Sequence, residues 1–104
     1  MLEWKMAKEK LPELISEKIE YYDDVDSLCK ESAPVIIYTH GMYLTGVYSC
    51  VECIQKGEIV DIEKMWILNN YENIESDKEI EDDDKWAYIE LLDMFTVGKA
   101  MLNF

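Results

Sequence analysis

No arginine occurs in this chain, and all ten of its cationic side chains are lysines. Without a guanidinium there is no bidentate clamp for phosphate, which weighs against direct binding of nucleotides or nucleic acid. Glycine is scarce as well, with four residues that each stand alone, so no Gly-rich loop can cradle a phosphate. His40 is the single histidine. A general base needs an orienting carboxylate and a nucleophile, and Thr39, Tyr38 and Tyr43 supply these only loosely. No serine sits in a nucleophile elbow. An enzyme is therefore not expected.

Long apolar runs are missing too. Residues 35–38 and 65–68 form runs of four, far short of the roughly 20 residues that span a bilayer. The first residues, MLEWKMAKEKLPEL, intersperse lysine with glutamate and carry no apolar centre, so they do not read as an export signal. Three cysteines, an odd number with no such signal, imply reduced thiols and a cytoplasmic location. Ile, Lys, Glu, Asn and Tyr are plentiful where arginine is absent, the residue usage of an AT-rich genome such as a low-GC bacterium or its phage.

Negative charge is abundant. Twenty-three acidic residues against ten lysines give a formal net charge of −13 and a sequence pI near 4.3. Half the composition is nevertheless apolar, 49%, well above that of disordered segments. A chain of 104 residues with this content reads as one domain, residues 1–104. Eight of the thirteen residues 72–84 are acidic, with Lys78 their one cation. Glu13, Glu17, Glu20, Asp23, Asp24 and Asp26 add a second acidic stretch.

Periodicity predicts an α+β fold, with a three-stranded antiparallel sheet flanked by an N-terminal helical region and a C-terminal helix (α-βββ-α). Leu11, Leu14, Ile15, Ile19 and Tyr22 recur at helical spacing, so residues 2–31 read as helical. Pro12 suits a first turn, which leaves residues 1–10 as a separate short helix or arm. Ser32-Ala33-Pro34 ends that region. The period then changes. Residues 35–38 form a strand, His40-Gly41 a turn, residues 43–54 a second strand with Gly46 as a candidate bulge, and Lys56-Gly57 a second turn. A third strand covers residues 59–68, with Val60, Ile62, Trp66 and Leu68 on one face and Asp61 and Glu63 on the other. After the acidic tract, Asp82, Asp83 and Asp84 suit the cap of a helix over about 85–101. Its stripe is Tyr88, Leu91, Leu92, Phe95 and Leu102, with Trp86 and Ile89 at the border.

Cys50-Val51-Glu52-Cys53 is the strongest-looking motif. With Cys29 and His40 it offers the ligand set of a Cys3His zinc site. A zinc knuckle needs its cysteines at a tight turn, however, and here they fall inside a predicted strand, where residues three apart face opposite ways. Ordinary buried or half-buried thiols are the expectation, with no metal and no cofactor. Asp23-Asp24-Val25-Asp26 lacks the glycine and the terminal glutamate of a calcium loop. Trp66, Trp86, Tyr88 and Phe95 are expected in the core. Trp4, Tyr21, Tyr22, Tyr43, Tyr48 and Tyr71 are harder to bury in so small a domain.

The charge carries the functional expectation. Strong negative charge repels nucleic acid and anionic membrane and attracts basic surfaces. Carboxylates along an ordered surface can stand where phosphates stand. The chain is thus expected to be a non-enzymatic acidic inhibitor from a phage or mobile element. By DNA mimicry it would block the basic groove of a bacterial defence effector, as anti-CRISPR and anti-restriction proteins do. Expected contacts are Tyr71, Glu72, Glu75, Asp77, Glu79, Glu81, Asp82, Asp83 and Asp84, with Asp23 and Asp24. One alternative is an immunity protein or antitoxin against a basic nuclease toxin. Another is a small oligomeric sponge or sensor whose pocket is lined by Tyr38, Tyr43, Tyr48 and Trp66.

Overall fold

A computed structural model describes residues 3–69 and 75–89. They form eight β-strands: β1 Lys5–Met6, β2 Leu14–Tyr21, β3 Asp26–Ser32, β4 Val35–Thr39, β5 Met42–Gln55, β6 Glu58–Asn69, β7 Glu75–Glu79 and β8 Lys85–Tyr88. Every strand pairing is antiparallel. No helix occurs among the described residues, so the α+β expectation is overturned and the architecture is all-β.

The central meander follows the sequence pattern. β4, β5 and β6 lie where alternation and β-branched residues predict strands. They are joined by two-residue turns at His40-Gly41 and Lys56-Gly57. Both residues of each turn have positive φ, 49° and 75° in the first and 53° and 81° in the second, the backbone of a type I′ hairpin. Gly46 is no bulge. It pairs regularly with Val35 and Leu68, and a Cβ there would collide with the Ile67 carbonyl oxygen. Glycine is required because two backbones approach closely. The β5–β6 irregularity lies instead at Cys53/Ile54.

The helical expectations fail at both ends for different reasons. Residues 2–31 were expected to be helical, yet those described hold β1, β2 and β3. The apolar spacing in residues 11–22 fits a helix, but a strand with the observed irregularity between Leu14 and Ser16 accommodates it too. Pairing with β3 over the rest of β2 decides the matter. In β8, Trp86 and Tyr88 stand two apart and face the core, which is strand spacing. The remainder of the expected 85–101 helix, beyond Ile89, lies outside the described residues.

β5 is the spine. β6 pairs along residues 45–55 of one side, while the other side is shared by β4 against residues 42–46 and β3 against residues 49–54. β3 and β4 thus form one long strand kinked at Ala33-Pro34. The kink is bridged by Ser32, whose Oγ accepts the Tyr48 amide at 2.9 Å. Beyond β4 come β8 and β1, beyond β3 comes β2, and β7 pairs residues 65–69 of β6.

Two regions result. In the head, β7, β6, β5, β4, β8 and β1 curl around Val35, Ile37, Tyr48, Cys50, Trp66 and Trp86. The chain following β1 closes it. Ala7 donates to the Asp84 carbonyl at 2.9 Å, the Lys10 carbonyl accepts Trp86 Nε1 at 2.7 Å, and Leu11 and Leu14 pack on the core. In the arm, β2, β3 and residues 49–55 of β5 and 58–64 of β6 extend as a four-stranded sheet. The molecule measures 53 × 28 × 22 Å.

Candidate functional site

Register divides the acidic tract between two faces. On β7, Lys78 lies opposite Trp66, on the inner face of the head, while Asp77 and Glu79 lie opposite Ile67 and Met65 on the outer face. Lys78 reaches Asp84 Oδ2 at 3.3 Å and Glu81 Oε2 at 3.8 Å. The tract's one cation therefore neutralises the tract's own carboxylates, leaving Asp77 and Glu79 exposed and without a cation partner among the described residues. Asp82 and Asp83 are exposed in the turn before β8.

Asp84 is structural. It is 1% exposed, and its Oδ2 accepts Trp66 Nε1 at 2.9 Å, the Glu81 amide at 3.0 Å and Lys78 Nζ. Burial pushes its carboxyl upward, but the groups around it prevail: the Thr39 hydroxyl, the Glu81 amide, the Trp66 indole and Lys78 hold it below the usual range. The Thr39 hydroxyl is itself buried. It makes no hydrogen bond of good geometry among the described residues. Asp84 is thus buried in the closing of the head where a contact was expected, and in place of a helix cap it closes a turn over residues 81–84, its amide donating to the Glu81 carbonyl and its carboxylate accepting the Glu81 amide.

Glu81 is only partly free, since His40 Nε2 also lies 2.6 Å from its Oε2. Of the other expected contacts, Tyr71 and Glu72 lie outside the described residues, as does the Glu75 side chain. Asp23 and Asp24 are exposed at the β2–β3 connection, at the opposite end of the sheet from β7. They do not share a surface with the tract.

Two acidic residues join the site instead. Asp61 and Glu63 are exposed on β6, on the outer face. Glu63 is two residues along from Met65, the partner of Glu79. Asp61, Glu63, Glu79 and Asp77 therefore form a carboxylate row across two neighbouring strands, at steps of about 7 Å along each strand and a diagonal step of roughly 7–8 Å from Glu63 to Glu79. The alternation of β6 already placed Asp61 and Glu63 on the polar side. Their adjacency to the tract depends on the β6–β7 pairing, which the sequence does not announce.

The zinc alternative is not assembled. Cys50 is buried on the inner face. Cys29 and Cys53 share the outer face, where Cys29 pairs Val51 and Cys53 pairs Ser27. His40 is at a distant turn, on Glu81. Burial, then the nearby Glu20, pushes the Cys29 thiol up, contrary to what a thiolate ligand needs. Among the described residues the one group with converging ligand atoms is Glu81, Asp83 and Asp84, where the Lys78 ammonium already supplies positive charge.

The aromatics divide in the same way. Tyr48 is buried against Trp66, ring centroids 6.1 Å apart, and burial raises its hydroxyl to about 12. Tyr38 and Tyr43 pack on the outer side with centroids 4.8 Å apart and rings tilted 49°, with Trp4 beside Tyr43. The four residues expected to line a pocket are thus split between opposite faces. Trp4, Tyr21, Tyr22 and Tyr43 remain exposed as expected, whereas Tyr48 does not.

Among the described residues no helix is long and apolar enough to cross a membrane. No protein-family model matches the chain, and no curated protein or solved structure shows significant similarity to it.

Proposed function

We propose that this chain is a non-enzymatic acidic inhibitor that occupies the basic nucleic-acid-binding surface of another protein. The observation behind this reading is the outer carboxylate row of β6 and β7, Asp61, Glu63, Asp77 and Glu79, with Asp82 and Asp83 in the following turn. The row's side chains stand on paired strands, so their charges are held at regular steps before any partner arrives, and little ordering is needed on binding. The tract's lysine is turned inward, which leaves the outer charge undiluted. A net charge of −13 accelerates encounter with a basic groove and makes binding strongly salt-dependent. The favoured partner is a basic defence nuclease or other DNA-acting effector in the cytoplasm of a bacterial host.

The test is competition. The immobilised full-length chain should capture a basic protein from host extract, and added duplex DNA or about 0.5 M salt should release it. Asp77→Asn/Glu79→Gln/Asp82→Asn/Asp83→Asn should weaken capture at least tenfold and flatten its salt dependence. Binding indifferent to DNA and to these substitutions would sink the proposal. Capture of a nuclease toxin would assign the same surface to an immunity protein.

A further inference from the structure

The arm presents a second, chemically different face. Register places three transverse rows on the inner side of the arm: Glu17–Lys30–Cys50–Lys64, Ile19–Leu28–Glu52–Ile62 and Tyr21–Asp26–Ile54–Ile59, each read from β2 through β3 and β5 to β6. Ile19, Tyr21, Ile59 and Ile62 are 52%, 75%, 54% and 50% exposed. Such an apolar sheet face normally packs on another layer.

We propose that a second copy of this chain covers it, forming a face-to-face dimer about a two-fold axis parallel to the strands. That axis sets the β2 end of each row over the β6 end of the same row in the copy. Ile19 then meets Ile62, Tyr21 meets Ile59, and Glu17 meets Lys64, each contact occurring twice. Glu17 and Lys64 are both exposed, and neither has an ion pair with a described residue. Lys30 and Glu52 in the middle already neutralise each other at 3.2 Å, whereas Asp26, without an ion pair to a described residue, enters in the last row, at the β2–β3 hairpin end of the arm.

The two ends of each row thus match each other in charge or in hydrophobicity under one operation, while in the middle Leu28 comes over Glu52 and Asp26 over Ile54. The β7 row faces outward and plays no part in this contact. The dimer therefore stands or falls independently of the inhibitor reading, and it would display two acidic faces back to back. Four strands and five residues give a footprint of roughly 19 by 17 Å before side-chain relief. That is about 650 Å² over both copies, below the roughly 1,000 Å² of a stable interface, so the dimer should be weak.

Sedimentation velocity of the full chain from about 10 µM to about 1 mM gives the readout. Dimer should grow with concentration and with salt, because screening relieves repulsion between two chains of −13 each. Capture of a basic partner responds to salt in the opposite sense. Ile62→Lys should abolish the dimer. Lys64→Glu and Glu17→Lys should each weaken it at least fivefold, and Glu17→Lys combined with Lys64→Glu should restore it. Circular dichroism confirms that the surface variants remain folded. A monomer throughout the range overturns the proposal, as does association indifferent to Ile62→Lys or a double variant no better than the singles. So does cross-linking of residues 90–104 onto the arm of their own chain.

Discussion

Head and arm are built from the same long strands, yet they bury very different amounts of side chain. In β6, Trp66 is fully buried in the head, while Ile59, Val60 and Ile62 in the arm are all at least half exposed. One strand crosses from a two-layered environment into a single layer. The head has curled edges, the segment after β1 and the β7–β8 connection to cover its inner face; among the described residues the arm has only its own four strands. Stability should therefore reside in the head and be insensitive to the arm, unless a second copy covers the arm.

The largest effect should follow Trp66→Ala, which empties the centre of the head and removes one of the donors to Asp84. We expect a loss of about 4 kcal/mol in urea unfolding; a loss similar to that of an arm isoleucine would refute the division into head and arm.

Asp84→Asn comes next, at about 2–3 kcal/mol at neutral pH, because it leaves Lys78 without its buried counter-charge. The native carboxyl lies below its ordinary value, so its stabilising contribution is present above the unfolded value near pH ~4 and lost as pH falls through the native one. The difference between wild type and Asp84→Asn should accordingly shrink as the pH is lowered below the ordinary carboxylate range. Comparing the two proteins cancels the relief of general charge repulsion in acid.

Gly46→Ala should cost about 2 kcal/mol by forcing β5 from the Ile67 carbonyl. Ile19→Ala in dilute solution should cost under about 1 kcal/mol, and any larger loss that grows with protein concentration would report the dimer. The smallest expected effect is a gain of about 0.5 kcal/mol for Lys56→Asn, since asparagine tolerates the left-handed φ of 53° at the arm's tip.

How much of this was legible depended on whether a segment's partner lay nearby in the chain. β4, β5 and β6 follow one another through two-residue turns, so alternation and the His40-Gly41 and Lys56-Gly57 signals sufficed. β2 is an edge strand that is mostly exposed, and it offers little burial pattern to read. β8 pairs β4, about fifty residues earlier, and its four residues cannot reveal that pairing. Within the site, Asp77, Glu79, Asp82 and Asp83 were legible from charge alone. The removal of Asp84 from the contact set was not, because its solvation is decided by Trp66, Thr39 and Lys78 arriving from three other strands.

Composition by itself determined the net charge, the absence of guanidinium chemistry and the apolar content needed for a core. Those are sums over residues, and no fold changes them. Tertiary structure alone decided which carboxylates face water and which are buried, and where the tract's one lysine points. Those outcomes depend on strand register. A shift of one residue would exchange Lys78 for its acidic neighbours on the inner face, and thus the direction in which the tract presents its charge.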